Sequence, residues 1–532
     1  MKLLRITGIK LSLDESEDRL IEKTAAILTA APEEISGLEI IKKALDARRN
    51  KPPHFVYIVQ AALADGFQLS SESPGGIQII ELENKKPEPL FLPKIASQLP
   101  VVVAGGGPAG LFAAYVLAAR GIPVTLLERG SPIEKRKADV KIFWEKGILN
   151  PESNVLFGEG GAGTFSDGKL TSRSKNPYSS WVKRIFADMG APSAILADAK
   201  PHIGTDRLEK VIVNLRNKLE AMGCTIRFAA KLTDFVIRRD RLAAIIVNEN
   251  EEIKTSRLVL AIGQSADDTY GKLQERGIEM EPKPFAVGLR VEHPQEVINF
   301  IQYGKWAGHP QLPPADYFVT AAVPGLGRSV YTFCMCPGGT VIGCSAFPGY
   351  VLTNGMSNCL RSGQFANSAV VVNVRVDDFA LPGNPLSGLE FRGRWEKRAF
   401  EAGGGNYSAP VQRLTDFLKK QPAGRTGPTS FLPGTKPAVL EEVLPAFVAE
   451  ALRAGFDEFN KKMPGFVTEE ANLIGVETRT SSPVRICRGS DGQSKTVQGI
   501  YPCGEGSGYA GGIISSALDG IRAAENLMTT LV

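Results

Sequence analysis

The stretch Pro100 to Glu128 constrains the fold of this chain more than any other. Pro100-Val101-Val102-Val103-Ala104 is a short β-branched run, Gly105-Gly106-Gly107-Pro108 is a turn, and Ala109 to Ala119 is a small-residue helix ended by Arg120-Gly121. Pro123 to Leu127 is then a second strand with Glu128 at its end, closing a βαβ unit. Residues 95–119 carry no charge over a length that could cross a bilayer. The glycine turn cuts that run into strand and helix, so a membrane-spanning reading is rejected.

Within this unit Gly105-x-Gly107-x-x-Gly110 follows a strand and opens a helix, and an acid follows the second strand, as a dinucleotide fingerprint requires. Gly105 allows the tight turn, Gly107 lets the backbone approach a pyrophosphate, and Gly110 lets the helix pack on the strand. The helix start after Pro108-Ala109 offers free N–H groups and a positive dipole end to phosphates. Glu128 is expected to accept hydrogen bonds from both ribose hydroxyls. The fingerprint alone does not separate FAD from NAD.

The C-terminus does. Gly499 to Cys503 reads as a strand, followed by Gly504-Glu505-Gly506-Ser507-Gly508-Tyr509-Ala510-Gly511-Gly512 and a helix from Ile513 to Met528. This order resembles the second FAD motif of the glutathione-reductase and hydroxybenzoate-hydroxylase classes of flavoprotein. The resemblance implies that Glu505 meets a ribityl hydroxyl and that the helix start faces the flavin pyrimidine edge. A positive helix end there would stabilise an anionic reduced flavin. Leu258 to Gly263, with Ala261, resembles the strand and glycine that return beside the adenosine half.

The motifs GGGPAGLFAA, LLERG, FGEGGAGTFSDGKL, KPFAVGLRVEH, YTFCMCPGG, TNGMS, GVETRTSSPVRI and CGEGSGYAGGI occur in order over residues 95–532. Together they resemble the bacterial and plastid family of FAD-dependent, or NAD(FAD)-utilising, dehydrogenases. The resemblance implies non-covalent FAD. The turn Arg361-Ser362-Gly363 departs from the Arg-Asp-Gly expected there.

GEGGAGTFSDGKL, residues 158–170, contains the spacing G-x-x-x-x-G-K of ATP-binding loops. A P-loop hangs directly off a strand and follows its lysine with Ser or Thr for Mg²⁺, whereas Leu170 stands here. The loop is therefore read as a flavin loop: Gly160, Gly161, Ala162 and Gly163 along the pyrophosphate, with Ser166, Asp167 and Lys169 near the reactive ring. The candidate cofactor set comprises these residues with Gly105, Gly107, Pro108, Ala109, Gly110, Glu128, Arg129, Arg136, Ala261, Gly263, Gly504, Glu505, Gly511, Gly512 and Ile513.

Four residues are candidates for the chemistry. His202, one of only four histidines, precedes a helix start and is a candidate proton donor. Lys169 is a candidate for stabilising charge on the reduced ring. Arg290, beside Glu292 on one strand face, and Arg479, in Glu477 to Arg485, could orient a polar or anionic part of a substrate or form an ion-pair network at a domain junction. Asp206 is read as a helix N-cap with Glu209 closing a capping box. Cys334 and Cys336, on one regular strand, would stand about 6.7 Å apart, too far for a disulfide. They and Cys503 are read as small core residues, and no metal site is expected.

The resulting fold class is α/β: a Rossmann-like FAD-binding domain with a parallel sheet, an inserted mainly antiparallel β domain, and a small N-terminal α+β domain. Residues 1–94 form the small domain, with a ferredoxin-like arrangement as one candidate, joined by a charged, proline-bearing linker at Glu83 to Pro89. The FAD-binding domain takes 95–280 and 471–532, and 281–470 is a substrate or cap domain ending in a helical excursion near Ala438 to Lys462. Charged residues are 22% of the chain and the net charge is +5, so composition favours neither nucleic acid nor membrane. Seven cysteines without framework spacing, and an N-terminus whose apolar runs are broken by Lys and Arg, fit a cytoplasmic protein.

The function expected is an FAD-dependent oxidoreductase exchanging a hydride between flavin N5 and a small organic substrate. No second dinucleotide fingerprint follows a strand, so NAD(P)H would be at most a transient donor. The alternatives are a flavin-dependent reductase of carbon–carbon double bonds fed by NAD(P)H or a protein donor, and a flavin-containing RNA-modifying or RNA-binding protein. The last would use Lys42, Lys43, Arg48, Arg49 and Lys51, a cluster that more often marks a solvated face. The sequence specifies no oligomeric state.

Overall fold

The computed structural model describes residues 1–48, 51–68, 76–82, 100–172 and 176–531; the expected linker and Arg49 lie outside them. At its centre is a five-stranded parallel sheet in the order Ile500–Pro502, Leu258–Leu260, Val101–Ala104, Val124–Leu127, Thr225–Arg227. Successive side chains of a strand point to opposite faces, and Val101-Val102-Val103-Ala104 shows what that requires. Val101 and Val103 pack with helices Pro108–Ala119, Thr205–Ala221 and Ile513–Met528. Val102 and Ala104 pack against a three-stranded antiparallel sheet that includes Phe235, Leu242 and Ile245. Both faces are covered, so every residue of the strand is apolar and buried.

Helix Ile513–Met528 lies close against Pro108–Ala119 because Gly520 permits it: a Cβ there would stand 2.0 Å from the Ala109 carbonyl oxygen. The first and last glycine motifs of the sequence are thereby brought side by side.

An eight-stranded sheet forms the second body. Its order is Thr320–Val323, Arg328–Cys344, Phe365–Val374, Phe285–Pro294, Asn472–Glu477, Ala409–Arg413, Thr435–Pro437, with Leu352–Ser357 paired to Arg328–Cys344. Only the Ala409–Arg413 and Thr435–Pro437 pair is parallel. Helix Ala446–Lys462, the expected excursion, buries Val448, Leu452, Phe456 and Phe459 in this core. The short antiparallel pair Met280–Pro282 and Val484–Ile486 joins strands from the two chain passages between the bodies.

The N-terminal residues form a four-stranded antiparallel sheet, Gly37–Asp46, His54–Leu63, Lys2–Ser12, Gln78–Leu82, with helix Arg19–Leu28 on it. The strand order is that of a ferredoxin-like fold; no second helix occurs among the described residues between His54–Leu63 and Gln78–Leu82. Strand Gly37–Asp46 docks on the parallel-sheet body through Lys43, whose N–H donates to the Ala197 carbonyl and whose carbonyl accepts from Ala199, both at 2.8 Å. Two of the basic cluster are neutralised, Lys43 by Glu17 at 2.6 Å and Arg48 by Asp46 at 2.5 Å. Among the described residues no helix is long and apolar enough to cross a membrane.

Candidate active site

The carboxyl ends of the parallel strands open into a cavity of about 500 Å³, walled on its far side by the antiparallel sheet. The dinucleotide fingerprint provides one lip: Gly105, Gly107, Pro108 and Ala109 line it. Gly105 has φ +112°, and a Cβ there would stand 2.2 Å from the Ala261 carbonyl oxygen; only glycine fits. Gly110 lies behind the lining, where a Cβ would come within 1.9 Å of the Gly105 carbonyl. Gly107 differs: its φ is ordinary, and a Cβ would clear the protein at 3.7 Å. The protein itself does not demand a glycine there, whereas a group approaching from the cavity would. Helix Pro108–Ala119 begins at Gly107 with no side-chain cap, leaving its first N–H groups to the cavity.

Glu128 lines the cavity and is buried, but its first partners are backbone groups rather than open space. Oε2 accepts the N–H of Gly106 at 2.8 Å, and Oε1 accepts those of Gly130 at 2.8 Å and Gly158 at 3.0 Å. A carboxylate has about four acceptor positions, so ribose hydroxyls can still be met. Arg129 also lines the cavity, bound to Asp268 and Glu152 and lying 3.9 Å from the Phe157 ring centroid.

Arg136 is a correction to the sequence reading. It is fully buried outside the cavity lining, and donates to the carbonyl oxygens of Asn154, Val155, Gly158, Glu159 and Gly161 and to Thr164 Oγ1. Burial lowers its pKa to about 10. Its task is to gather residues 154–164 into one fold of chain rather than to hold a phosphate. Gly160, likewise outside the lining, faces Ile212 and Thr164, where a Cβ would approach to 2.4 Å. Gly161, Ala162 and Gly163 do line the cavity.

The loop then presents Ser166, Asp167 and Lys169, all in the lining. Ser166 Oγ donates to the Gly163 carbonyl and accepts the Gly168 N–H, closing the turn. Asp167 is buried and pairs with Lys169 at 2.7 Å and Arg361 at 2.6 Å. Burial opposes its charge, but Lys169 and Arg361 prevail and hold its pKa at about 2. Lys169 Nζ also donates to the Met335 carbonyl, tying the loop to the antiparallel sheet. Residues before Gly163 form no strand, as the rejection of a P-loop requires. Arg361, in the turn that departs from the family pattern, is thus the second cation on Asp167; nothing local in the sequence connects the two.

His202 is also corrected. It lies beside Lys169 through a backbone bridge but outside the cavity lining, with Nε2 3.0 Å from the Cys359 carbonyl oxygen. Burial and the nearby Arg361 push its pKa down. Asp206 is not an N-cap; Gly204 holds that place, and Asp206 Oδ1 accepts the Cys359 N–H at 2.6 Å, while Glu209 pairs with Lys137.

On the opposite wall Glu477 and Arg479 line the cavity. Arg290 stands behind Glu477, gripping both its oxygens at 2.9 and 3.0 Å, so it supports the wall without reaching the cavity. Glu292, expected beside it, instead accepts the Ser430 N–H at 3.0 Å. Arg479 pairs with the buried Glu396 at 2.8 Å, and its Nη1 is buried with no hydrogen-bond partner in the structure. Gln264, missed in the sequence, bridges the walls by donating to the Arg479 carbonyl at 2.7 Å and to Glu505. Ala261, Gly263, Gly504, Glu505, Gly511, Gly512 and Ile513 complete the lining on the parallel-sheet side. Burial raises the Glu505 pKa to about 7.

Cys334 is the largest miss. It lines the cavity and is half-buried, because the strand is not regular there. Phe333 pairs with Ala369 and Cys336 with Asn367, three steps against two, and Cys334 takes φ +46° in the resulting bulge. Cys503 is a buried core residue. Among the described residues no cluster of His, Cys, Asp or Glu could hold a metal ion.

Comparison with known proteins agrees with this geometry. A family model described as FAD binding domain matches residues 98–263, and one described as FAD-dependent protein, C-terminal domain-like, matches 284–480. Residues 3–62 match a domain of unknown function (DUF8436). A Clostridium beijerinckii (strain ATCC 51743 / NCIMB 8052) protein described as uncharacterized is 43% identical over 528 residues, covering 99% of this chain and 98% of its own. Among solved structures, the halogenase PltM is 11% identical over 82% of this chain and 70% of that one, with a TM-score of 0.38. CtdE in complex with FAD is 12% identical over 82% of this chain and 84% of that one, with a TM-score of 0.32. With an end-to-end relative at this identity and both halves of the cavity matched by FAD families, the chain belongs to a family of FAD-dependent proteins and takes FAD as its cofactor.

Proposed function

We propose that this protein is an FAD-dependent oxidoreductase that exchanges a hydride with a small organic substrate bound between the flavin and the antiparallel wall. Bound in the cavity, FAD supplies a two-electron carrier that takes or gives a hydride at N5. Gly105, Gly107 and the uncapped helix start would hold its pyrophosphate, Glu128 its ribose, and Glu505 with Gly511 to Ile513 its flavin half. Lys169 would place a positive charge where the reduced ring gains negative charge. The observation that carries the substrate side is Arg479: a cation fixed by Glu396, in the cavity wall, with its Nη1 amino group left without a partner. A buried donor without a partner is costly unless a ligand meets it, and a carboxylate or carbonyl would do so.

The reading is tested by mixing the yellow holoprotein anaerobically with fractionated small-molecule extracts and following its visible absorbance. Fractions containing the substrate should bleach the flavin or reoxidise it after dithionite reduction, and Arg479→Gln should raise the concentration needed by about tenfold or more, the loss of one charged hydrogen bond. A flavin that no organic fraction bleaches or reoxidises would contradict it.

A further inference from the structure

The bulge at Cys334 breaks the regular spacing that would hold two thiols of this strand apart. Cys336 Sγ lies 3.4 Å from the Cys334 carbonyl oxygen, folded back toward that residue. One of the pair, Cys334, opens on the cavity, while Cys336 is buried behind it. Two cations frame the bulge: Arg290 Nη1 donates to the Cys334 carbonyl at 3.3 Å, and Lys169 Nζ to that of Met335.

We propose that Cys334 and Cys336 are a redox-active thiol pair in the cavity wall, cycling between dithiol and intrachain disulfide by exchange with a small disulfide. The Cys334 thiolate attacks one sulfur of the small disulfide and expels the other as a thiolate. Cys336 then gives its proton to solvent and attacks the Cys334 sulfur, releasing the second thiol. The protein loses two electrons, and the small disulfide gains them as two thiols. This step uses no electrons from the flavin, so it goes beyond the oxidoreductase reading and does not depend on it.

The electrostatics favour this division of labour. The Cys336 thiol, with Lys169 and Arg290, holds the Cys334 pKa below the ordinary thiol value, against burial and the nearby Glu477 and Glu505. Cys336 moves the other way, through the Cys334 sulfur and burial, with Asp167 also opposing its ionisation. A cavity-facing attacking thiolate backed by a protonated resolving thiol is the arrangement that exchange chemistry requires.

The test is to reduce the holoprotein, remove the reductant and add 4,4′-dithiodipyridine, following thiopyridone release and mapping the products by peptide mass. Wild type should release two thiopyridones from this pair in one fast phase and yield a Cys334–Cys336 disulfide with no label retained on either cysteine, apart from any slower labelling of the half-buried Cys359. The fast phase should persist well below the roughly 8.5 of a free thiol. Cys336→Ser should release one and keep the label on Cys334; Cys334→Ser should lose the fast phase. A wild-type map showing label retained on Cys334, or both cysteines reacting only as slowly as the buried Cys344, would overturn the proposal.

Discussion

Lys169 shows how one side chain can be placed by a near neighbour, a distant carbonyl and a distant cation acting through that neighbour. Asp167 pairs with it, the Met335 carbonyl accepts its hydrogen bond, and Arg361 fixes Asp167 from behind. We expect Lys169→Met to fold and to bind FAD but to lower the flavin reduction potential, because a positive charge near the reduced ring is lost. For a two-electron couple about 30 mV corresponds to 1.4 kcal/mol, and Asp167 already offsets part of the charge, so a shift of tens of millivolts is expected. Equilibration with a reference dye measures it; an unchanged potential would remove Lys169 from the ring. At this scale the sequence was informative for glycines and for the loop, whose spacing carries the chemistry. It was misleading for His202 and Arg136, and for Cys334, read as a core residue of a regular strand. Those depend on where a side chain turns, and a bulge or a long-range carbonyl leaves no local pattern.

Elements place the glycines, and the glycines separate two roles that the fingerprint merges. Gly110→Ala would drive a Cβ to 1.9 Å from the Gly105 carbonyl, so it should destabilise the fold by about 1–3 kcal/mol in urea unfolding. Gly107→Ala clears the protein at 3.7 Å and should leave apoprotein stability within about 1 kcal/mol while weakening FAD binding. Equal affinity in Gly107→Ala would place the pyrophosphate elsewhere. Arg136→Ala should cost about 3 kcal/mol or more and loosen residues 154–164, since six acceptors lose their donor at once. Limited proteolysis within that loop would register it. The strands and helices themselves were largely legible because both glycine motifs follow apolar runs of strand length. The helix Ile513–Met528 has the bounds the sequence suggests.

At the scale of the whole molecule, the cavity exists because two sheets of different type meet, and the Arg392–Asp267 pair is one of the contacts between them. Glu292 is a buried acid inside the antiparallel body: burial raises its pKa to about 7, although Ser430 donates to it. Folded protein therefore binds this proton more tightly than unfolded chain, whose value lies near 4.5. Its contribution is fully present below 4.5, falls as pH rises, and is lost above about 7, amounting to about 3 kcal/mol at most. Glu292→Gln should flatten that part of the stability profile relative to wild type in denaturant unfolding at several pH values. The class of the two sheets followed from strand-helix alternation and β-rich patterning, but their strand order and their junction did not, because pairs such as Arg392–Asp267 join segments distant in sequence. The account rests most on FAD occupying the cavity between those sheets. Acid precipitation of purified wild-type protein, with chromatography of the supernatant, tests this directly. About one FAD per chain, released intact because nothing attaches it covalently, is the expected result; colourless protein that takes up no FAD on incubation would contradict it.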